Sequence, residues 1–243
     1  MTTLHYASGG SASEVATAGF NLVDVSSVDE LNALPAGTKG LVWLDEANGA
    51  TSSFIDKVTP FIGNPKVFGF FLVDEPDPTG KWGTYATADN LKAESDWIHT
   101  HLPGAKTFIT MMNMGSSADP DFSNTFNPAN THIDYYGVDP YPVRTGTSTV
   151  DYNMIDRTVA AAVASGVPLS QISGLSDVRR RQLHHRYGRP ICPSQRRPGA
   201  DHAGPLGQGG AIARLRLCLC LGFSTGRHRA WRLAGAAGLV PAT

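Results

Sequence analysis

Three carboxylates crowd the stretch Asp74-Glu75-Pro76-Asp77, directly after the apolar run Val67-Phe-Gly-Phe-Phe-Leu-Val73. The run is too short for a helix and rich in β-branched and aromatic residues, so it predicts a strand buried on both faces, as in a parallel sheet. Pro76 lacks an N–H and cannot continue a central strand, which places the acidic group where the strand leaves the sheet. In a barrel of alternating strands and helices that edge is the catalytic face. Carboxylates there can move protons, one as an acid and a second as base or nucleophile. Asp139, in Gly137-Val-Asp-Pro-Tyr-Pro142, closes another apolar run in the same way and is the candidate second carboxylate. Asp45 and Glu46, after Gly40-Leu-Val-Trp-Leu44, are the fallback. Crowding by Asp74 and Asp77 and partial burial are expected to raise the pKa of Glu75, as a proton donor at neutral pH requires.

Placing these groups on one rim needs strands that alternate with helices. Strands are expected at Gly19–Val25, Gly40–Leu44, Val67–Val73, Lys106–Met114 and Ile133–Pro142, with Leu4–Ala7 as a short first strand and Leu169–Ile172 opening a further one. Ser8–Thr17 is small and polar and reads as a loop. Ser27 followed three residues on by Glu30 resembles a capping box for a short helix. Apolar spacing predicts helices over about 52–61 (Phe54, Ile55, Val58 and Phe61 on one face), 87–101 (Leu91, Trp97, Ile98) and 151–165 (Met154, Ile155, Val159 and Val163 inward). Residues 115–131 form a long loop rich in Asn, Asp, Ser and Pro, a length commonly tied to function. The alternation implies parallel strands with right-handed crossovers. No G-x-G-x-x-G or P-loop pattern follows any strand, which favours a barrel over an open nucleotide-binding sheet.

The chain has 243 residues and a formal net charge of −1. That length suits one (β/α)8 barrel, and that charge argues against a nucleic-acid or membrane-surface binder. The average hides a break: residues 1–172 balance at −11 and residues 173–243 at +10. Every basic residue of the second part is Arg, every Lys lies before it, and all 3 Cys fall within it. Arg with Gly, Ala and Pro but no Lys is what GC-rich DNA yields when read out of register. Codons permitted for residues 173–194, read from the second base, spell PVYQTFGGGNYTTGTGGQYVLP, which supplies a strand and a Gly-rich loop. The expectation is a partial (β/α) barrel of catalytic type over 1–172, followed by an Arg/Gly/Ala-rich, out-of-frame and disordered tail over 173–243. The alternative is a true basic arm, but its Arg residues lack the aromatic interleaving of a binding module. Cys192, Cys218-x-Cys220 and His184-His185 match no zinc spacing, so no metal and no cofactor is expected. No apolar run is long enough to span a membrane. The first residues show no basic start or apolar core of an export signal.

Asp74-Glu75-Pro76 after Phe68-Gly-Phe-Phe-Leu-Val73 resembles the strand-end motif of TIM-barrel glycoside hydrolases. In that clan an Asn-Glu-Pro closes the fourth strand and its Glu is the general acid/base. Glu75 matches the Glu, Pro76 the Pro, and Asp74 stands where Asn is usual. The clan's seventh-strand Glu nucleophile has no counterpart, and the shifted reading places Gln there. The resemblance covers about 19–172 in layout and implies a carbohydrate substrate hydrolysed between two carboxylates. Glu75, Asp139 and Asp74 are then the catalytic candidates. Trp43, Asp45, Glu46, Trp82, Asn113 and Tyr141 are candidates to line a sugar cleft. Plainer readings stay open: Asp74 as a cap, Asp139 as a turn residue before Pro140, Trp43 as core. Met111, Met112 and Met114 read as strand packing, and His99 and His101 as surface or capping residues. A non-catalytic carbohydrate-binding barrel and an inactive product with an unclosed barrel are the competing outcomes. Oligomeric state, compartment and linkage are open; related barrels are often secreted.

Overall fold

The computed structural model describes residues 4–142, 149–177 and 216–219. Seven parallel strands follow in sequence order: β1 Tyr6–Ser8, β2 Leu22–Val25, β3 Lys39–Trp43, β4 Val67–Phe71, β5 Lys106–Thr110, β6 Tyr135–Val138 and β7 Ile172–Asp177. An eighth, β8 Arg216–Leu219, pairs antiparallel with both β7 and β1 and closes the sheet. The described chain is thus an incomplete α/β barrel, in which the last strand runs against the other seven. The helices are α1 Ala12–Thr17, α2 Val28–Asn32, α3 Ser52–Val58, α4 Ala88–His101, α5 Pro128–Thr131 and α6 Asn153–Ala164.

The strands alternate between two cores. Tyr6, Leu22, Leu41, Phe71, Phe108 and Tyr135, from six successive strands, pack on one another and fill the interior. Their neighbours Val23, Val42, Phe70, Ile109 and Tyr136 face outward, onto Leu31, Phe54, Val58, Leu91 and Ile98 of the helices. With both faces apolar, the strands read as continuous hydrophobic runs. The register slips between Gly40 and Leu41, which pair with Val67 and Gly69. A Cβ on Gly69 would lie 2.1 Å from the Lys106 carbonyl oxygen. Backbone cannot yield as a side chain can, so Gly69→Ala is expected to cost about 3 kcal/mol or more, the upper part of the overpacking range. A large fall in the urea midpoint with unchanged slope checks this; an unchanged midpoint would contradict it.

Several expectations need correction. Residues 12–17 are a helix, not a loop: Ser11 caps it by accepting from the Glu14 N–H at 3.3 Å, the same Ser-x-x-Glu spacing found at Ser27. At α2 Ser27 accepts from the Glu30 N–H, while the Glu30 carboxylate accepts from the Ser26 N–H at 2.7 Å, one residue before the expected partner. The long loop is not structureless, since it contains a 3-10 turn at Asn124–Phe126 and α5. α6 buries Met154, Thr158 and Ala162, whereas Val163 is exposed. His99 is no simple cap: its Nε2 lies 2.8 Å from Asp134, which also takes Lys106 Nζ at 2.9 Å. That cluster ties the amino ends of β5 and β6, the face of a barrel that serves stability. The expectation of an out-of-frame, disordered tail over 173–243 falls mostly outside the described residues; within it, residues 173–177 and 216–219 form strand. Among the described residues no helix is long and apolar enough to cross a membrane.

Candidate active site at the carboxyl rim

Every candidate residue leaves the carboxyl end of one of four consecutive strands, β3 to β6. Backbone pairing continues past the strand ends. Leu44 N–H donates to Phe71 O at 2.9 Å, Glu46 N–H to Leu72 O at 2.8 Å and Met111 N–H to Gly137 O at 2.8 Å. The loops therefore leave the sheet from a rigid base, with Leu72 and Val73 fully buried beneath them.

Asp74 and Glu75 are half-buried, and Pro76 and Asp77 are buried. Glu75 has φ 46° and Asp45 φ 53°, both in the left-handed region. Asp tolerates that region through its short polar side chain, but a Glu there costs about 1 kcal/mol or more. Such strain persists where its surroundings over-determine it, and Gly83 is one reason here: a Cβ on Gly83 would come within 3.0 Å of the Glu75 carbonyl oxygen. Asp139 is half-buried after β6 and accepts the Tyr141 hydroxyl at 2.5 Å.

The other candidates divide. Trp43 is half-buried and stacks on Phe71, with centroids 4.0 Å apart and planes at 9°, so its ring extends the interior core upward. Glu46 is buried, pairs with Lys57 Nζ at 2.7 Å and accepts from Ser53 Oγ at 3.0 Å. It pins its loop to α3. Asn113 folds its own loop: its Oδ1 accepts the N–H groups of Gly115 and Asp121 at 3.0 Å each. Asp45 is exposed, and Trp82 stands 69 % exposed.

Sequence reasoning missed the roles of three carboxylates. Asp24, on β2, accepts from the hydroxyls of Tyr6 and Ser8 on β1 and so faces the barrel interior above the Leu22 layer. Asp77 reads in the sequence only as part of the acidic crowd. Burial works against its charge, yet Thr79 Oγ1 and the N–H groups of Trp82, Thr79 and Gly83 hold its carboxyl well below the usual carboxylate range. Glu94, on α4, is completely buried; one oxygen accepts from the Gly49 N–H at 2.8 Å and the other has no hydrogen-bond partner. Burial pushes its pKa up to about 7, with the Gly49 bond working the other way and Glu46 adding to the rise. Among the described residues no group of three or more His, Cys, Asp or Glu could hold a metal ion.

No family model matches the chain. No curated protein matches it either. Among solved structures it is similar to AbfB, a family 51 α-L-arabinofuranosidase from Bifidobacterium longum, at 10 % identity and a TM-score of 0.34. The match covers 63 % of this chain and 42 % of that one, so the chain spans less than half the length of that protein.

Proposed function

We propose that this protein is a glycoside hydrolase-like barrel acting on an oligosaccharide or polysaccharide, with Glu75 as general acid and Asp139 as the opposing base. The observation that carries this is a half-buried Glu75, held in a left-handed backbone at the end of β4, on the rim that also bears Asp139 at the end of β6. β4 and β6 are two interstrand steps apart, about 9–10 Å along the sheet, and curvature shortens the chord. Inverting enzymes hold their two carboxylates about 6.5–9.5 Å apart, which leaves room for a water between them. Glu75 protonates the glycosidic oxygen as that bond breaks, while Asp139 takes a proton from the water that attacks the anomeric carbon. Tyr141 orients Asp139 through its hydroxyl, and Asp74 supplies negative charge beside the developing oxocarbenium ion.

The test is release of reducing ends from a panel of polysaccharides by the full chain and by Glu75→Gln, with the product anomer read by proton NMR. Activity lost in the variant and an inverted first product are expected. Turnover that survives Glu75→Gln would overturn the assignment. Binding without turnover would instead favour a non-catalytic carbohydrate-binding barrel.

A second reading rests on β8 running antiparallel where a (β/α)8 barrel has a parallel strand, together with the change of composition after residue 172. On this reading residues 173–243 are translated out of frame and the polypeptide is inactive. Sequencing the coding DNA across codons 170–175 tests it, and restoring the frame is expected to restore solubility and turnover.

A further inference from the structure

The run Met111-Met112-Asn113-Met114 holds most of the chain's 5 methionines. It begins where β5 ends, so its side chains stand at the rim and not within the strand. Met111 is buried, whereas Met112 and Met114 are half-buried. All three line one small cavity between the loops after β4 and β5, with Pro76, Pro78 and Phe126. Met112 touches the loop after β4. A Cβ on Gly83 would lie 2.5 Å from the Met112 Cε, 3.0 Å from the Glu75 carbonyl oxygen and 3.6 Å from Asp77 Cβ. One methyl group thus rests on the glycine that also braces the candidate acid.

That glycine belongs to a ring set by Asp77, which is fully buried. Asp77 Oδ1 accepts from Thr79 N–H and Thr79 Oγ1 at 2.7 Å each, and Oδ2 accepts from Trp82 N–H at 2.6 Å. The Gly83 N–H reaches the same Oδ2 at 3.3 Å, the longest of the four bonds. The backbone closes the ring where Asp77 N–H donates to Thr84 O at 2.8 Å. A thioether is soft and apolar and suits contact with a bare glycine. Its sulfoxide is polar and chiral, and disrupts such packing. Beside Gly83 a sulfoxide oxygen competes with Asp77 for the most weakly held N–H of the ring, in a space that even a Cβ would overfill.

We propose that Met112 is a site of reversible oxidation by peroxide, and that its sulfoxide loosens the Asp77 ring on which Glu75 bears. The thioether sulfur attacks one peroxide oxygen, and the S–O bond forms as the O–O bond breaks. The other oxygen departs as water, taking the proton of the transferred hydroxyl. Sulfur is oxidised by two electrons and the peroxide is reduced. A methionine sulfoxide reductase reverses the step, two thiols becoming a disulfide as the oxygen leaves as water. The modification goes beyond the hydrolase reading and does not rest on it; only its effect on turnover does.

Hydrogen peroxide treatment of the full chain, followed by peptide mass spectrometry, tests the site. Met112 is expected to gain one oxygen well before Met154, which is buried on α6. Trypsin tests the loosening at Lys81, an exposed residue of the ring. Oxidation is expected to speed that cut about tenfold, because cleavage of an opened segment follows the population of its open form. Cuts after Lys57 on α3 and Lys92 on α4 should keep their rates, which separates a loosened loop from an unfolding barrel. Met112→Leu, close in volume, should abolish the response, and Met114→Leu should keep it. If Met112→Leu does not fold, Met112→Gln, polar and inert to peroxide, should be cut fast at Lys81 without treatment. Reductases for both sulfoxide epimers, with dithiothreitol, should restore the slow cut. Equal oxidation of Met112 and Met154, an unchanged Lys81 cut in oxidised protein, a response kept in Met112→Leu, or equal acceleration at all three lysines would overturn the proposal. A responsive cut in a protein that hydrolyses no polysaccharide would leave the oxidation site standing and remove the hydrolase. Turnover in a protein whose Lys81 cut ignores peroxide would do the reverse.

Discussion

Glu75→Gln is expected to lower kcat by about 10²–10⁴-fold on a natural polysaccharide, the usual share of general acid–base catalysis. The amide keeps the size of the side chain and the left-handed backbone that Gly83 braces, but it has no proton to give the departing sugar oxygen. KM should change little, because the loss falls on the transition state. A dinitrophenyl glycoside, whose leaving group departs without protonation, should be hydrolysed with a much smaller deficit. The alkaline limb of the kcat/KM profile, which follows loss of the acid's proton, should vanish in the variant. Equal deficits on both substrates would show that Glu75 supports the fold and does not donate a proton. Glu75→Gly separates strain from chemistry: it should be as inactive as the Gln variant, yet more stable by about 1 kcal/mol, since glycine adopts φ 46° freely.

Glu94→Gln is expected to stabilise the protein at pH 8–9 and to do much less at pH 5. In the folded chain the Glu94 pKa is raised from 4.5 to about 7 by burial and by Glu46. A carboxyl raised in this direction holds its proton more tightly when folded. Its contribution is therefore fully present below pH 4.5 and is lost as the pH climbs through about 7. Each tenfold gain in proton affinity is worth about 1.4 kcal/mol, so the loss approaches about 3 kcal/mol. Gln keeps the acceptor for the Gly49 N–H and carries no charge, so the variant escapes the loss. Urea midpoints of both proteins from pH 5 to 9 check this, and parallel curves would refute it. The loop released first should be the one after β3. Gly49 and Ala47 are its anchors on α4, the first through Glu94 and the second through Asn90 Nδ2 at 3.2 Å.

The strand pattern was readable because fully buried parallel strands appear as short apolar runs, and the rim because Pro76 and Pro140 punctuate two of them. What escaped follows from the same physics. With Leu22, Val23 and Val25 all apolar, alternation cannot say which face is the barrel interior, so Asp24 was passed over. Lys92 and Asp96 flank Glu94 with charge, yet Leu91, Glu94, Ser95 and Ile98 fall at the i, i+3, i+4, i+7 spacing of one buried face. That phase was the available signal. Asp77 was grouped by charge with Glu75, whereas its partners are donors on a loop whose path no local pattern specifies. The short α1 lacked enough residues to show a period, and only its cap announced it.

The reversed polarity of β8 has a topological outcome. Asp177, where β7 ends, is paired with Arg216, where β8 begins, and Arg216 is also paired with Ser8 at the end of β1. In a uniform barrel a crossover leaves by one mouth and comes back at the other. Here departure and return share the mouth that bears Glu75 and Asp139.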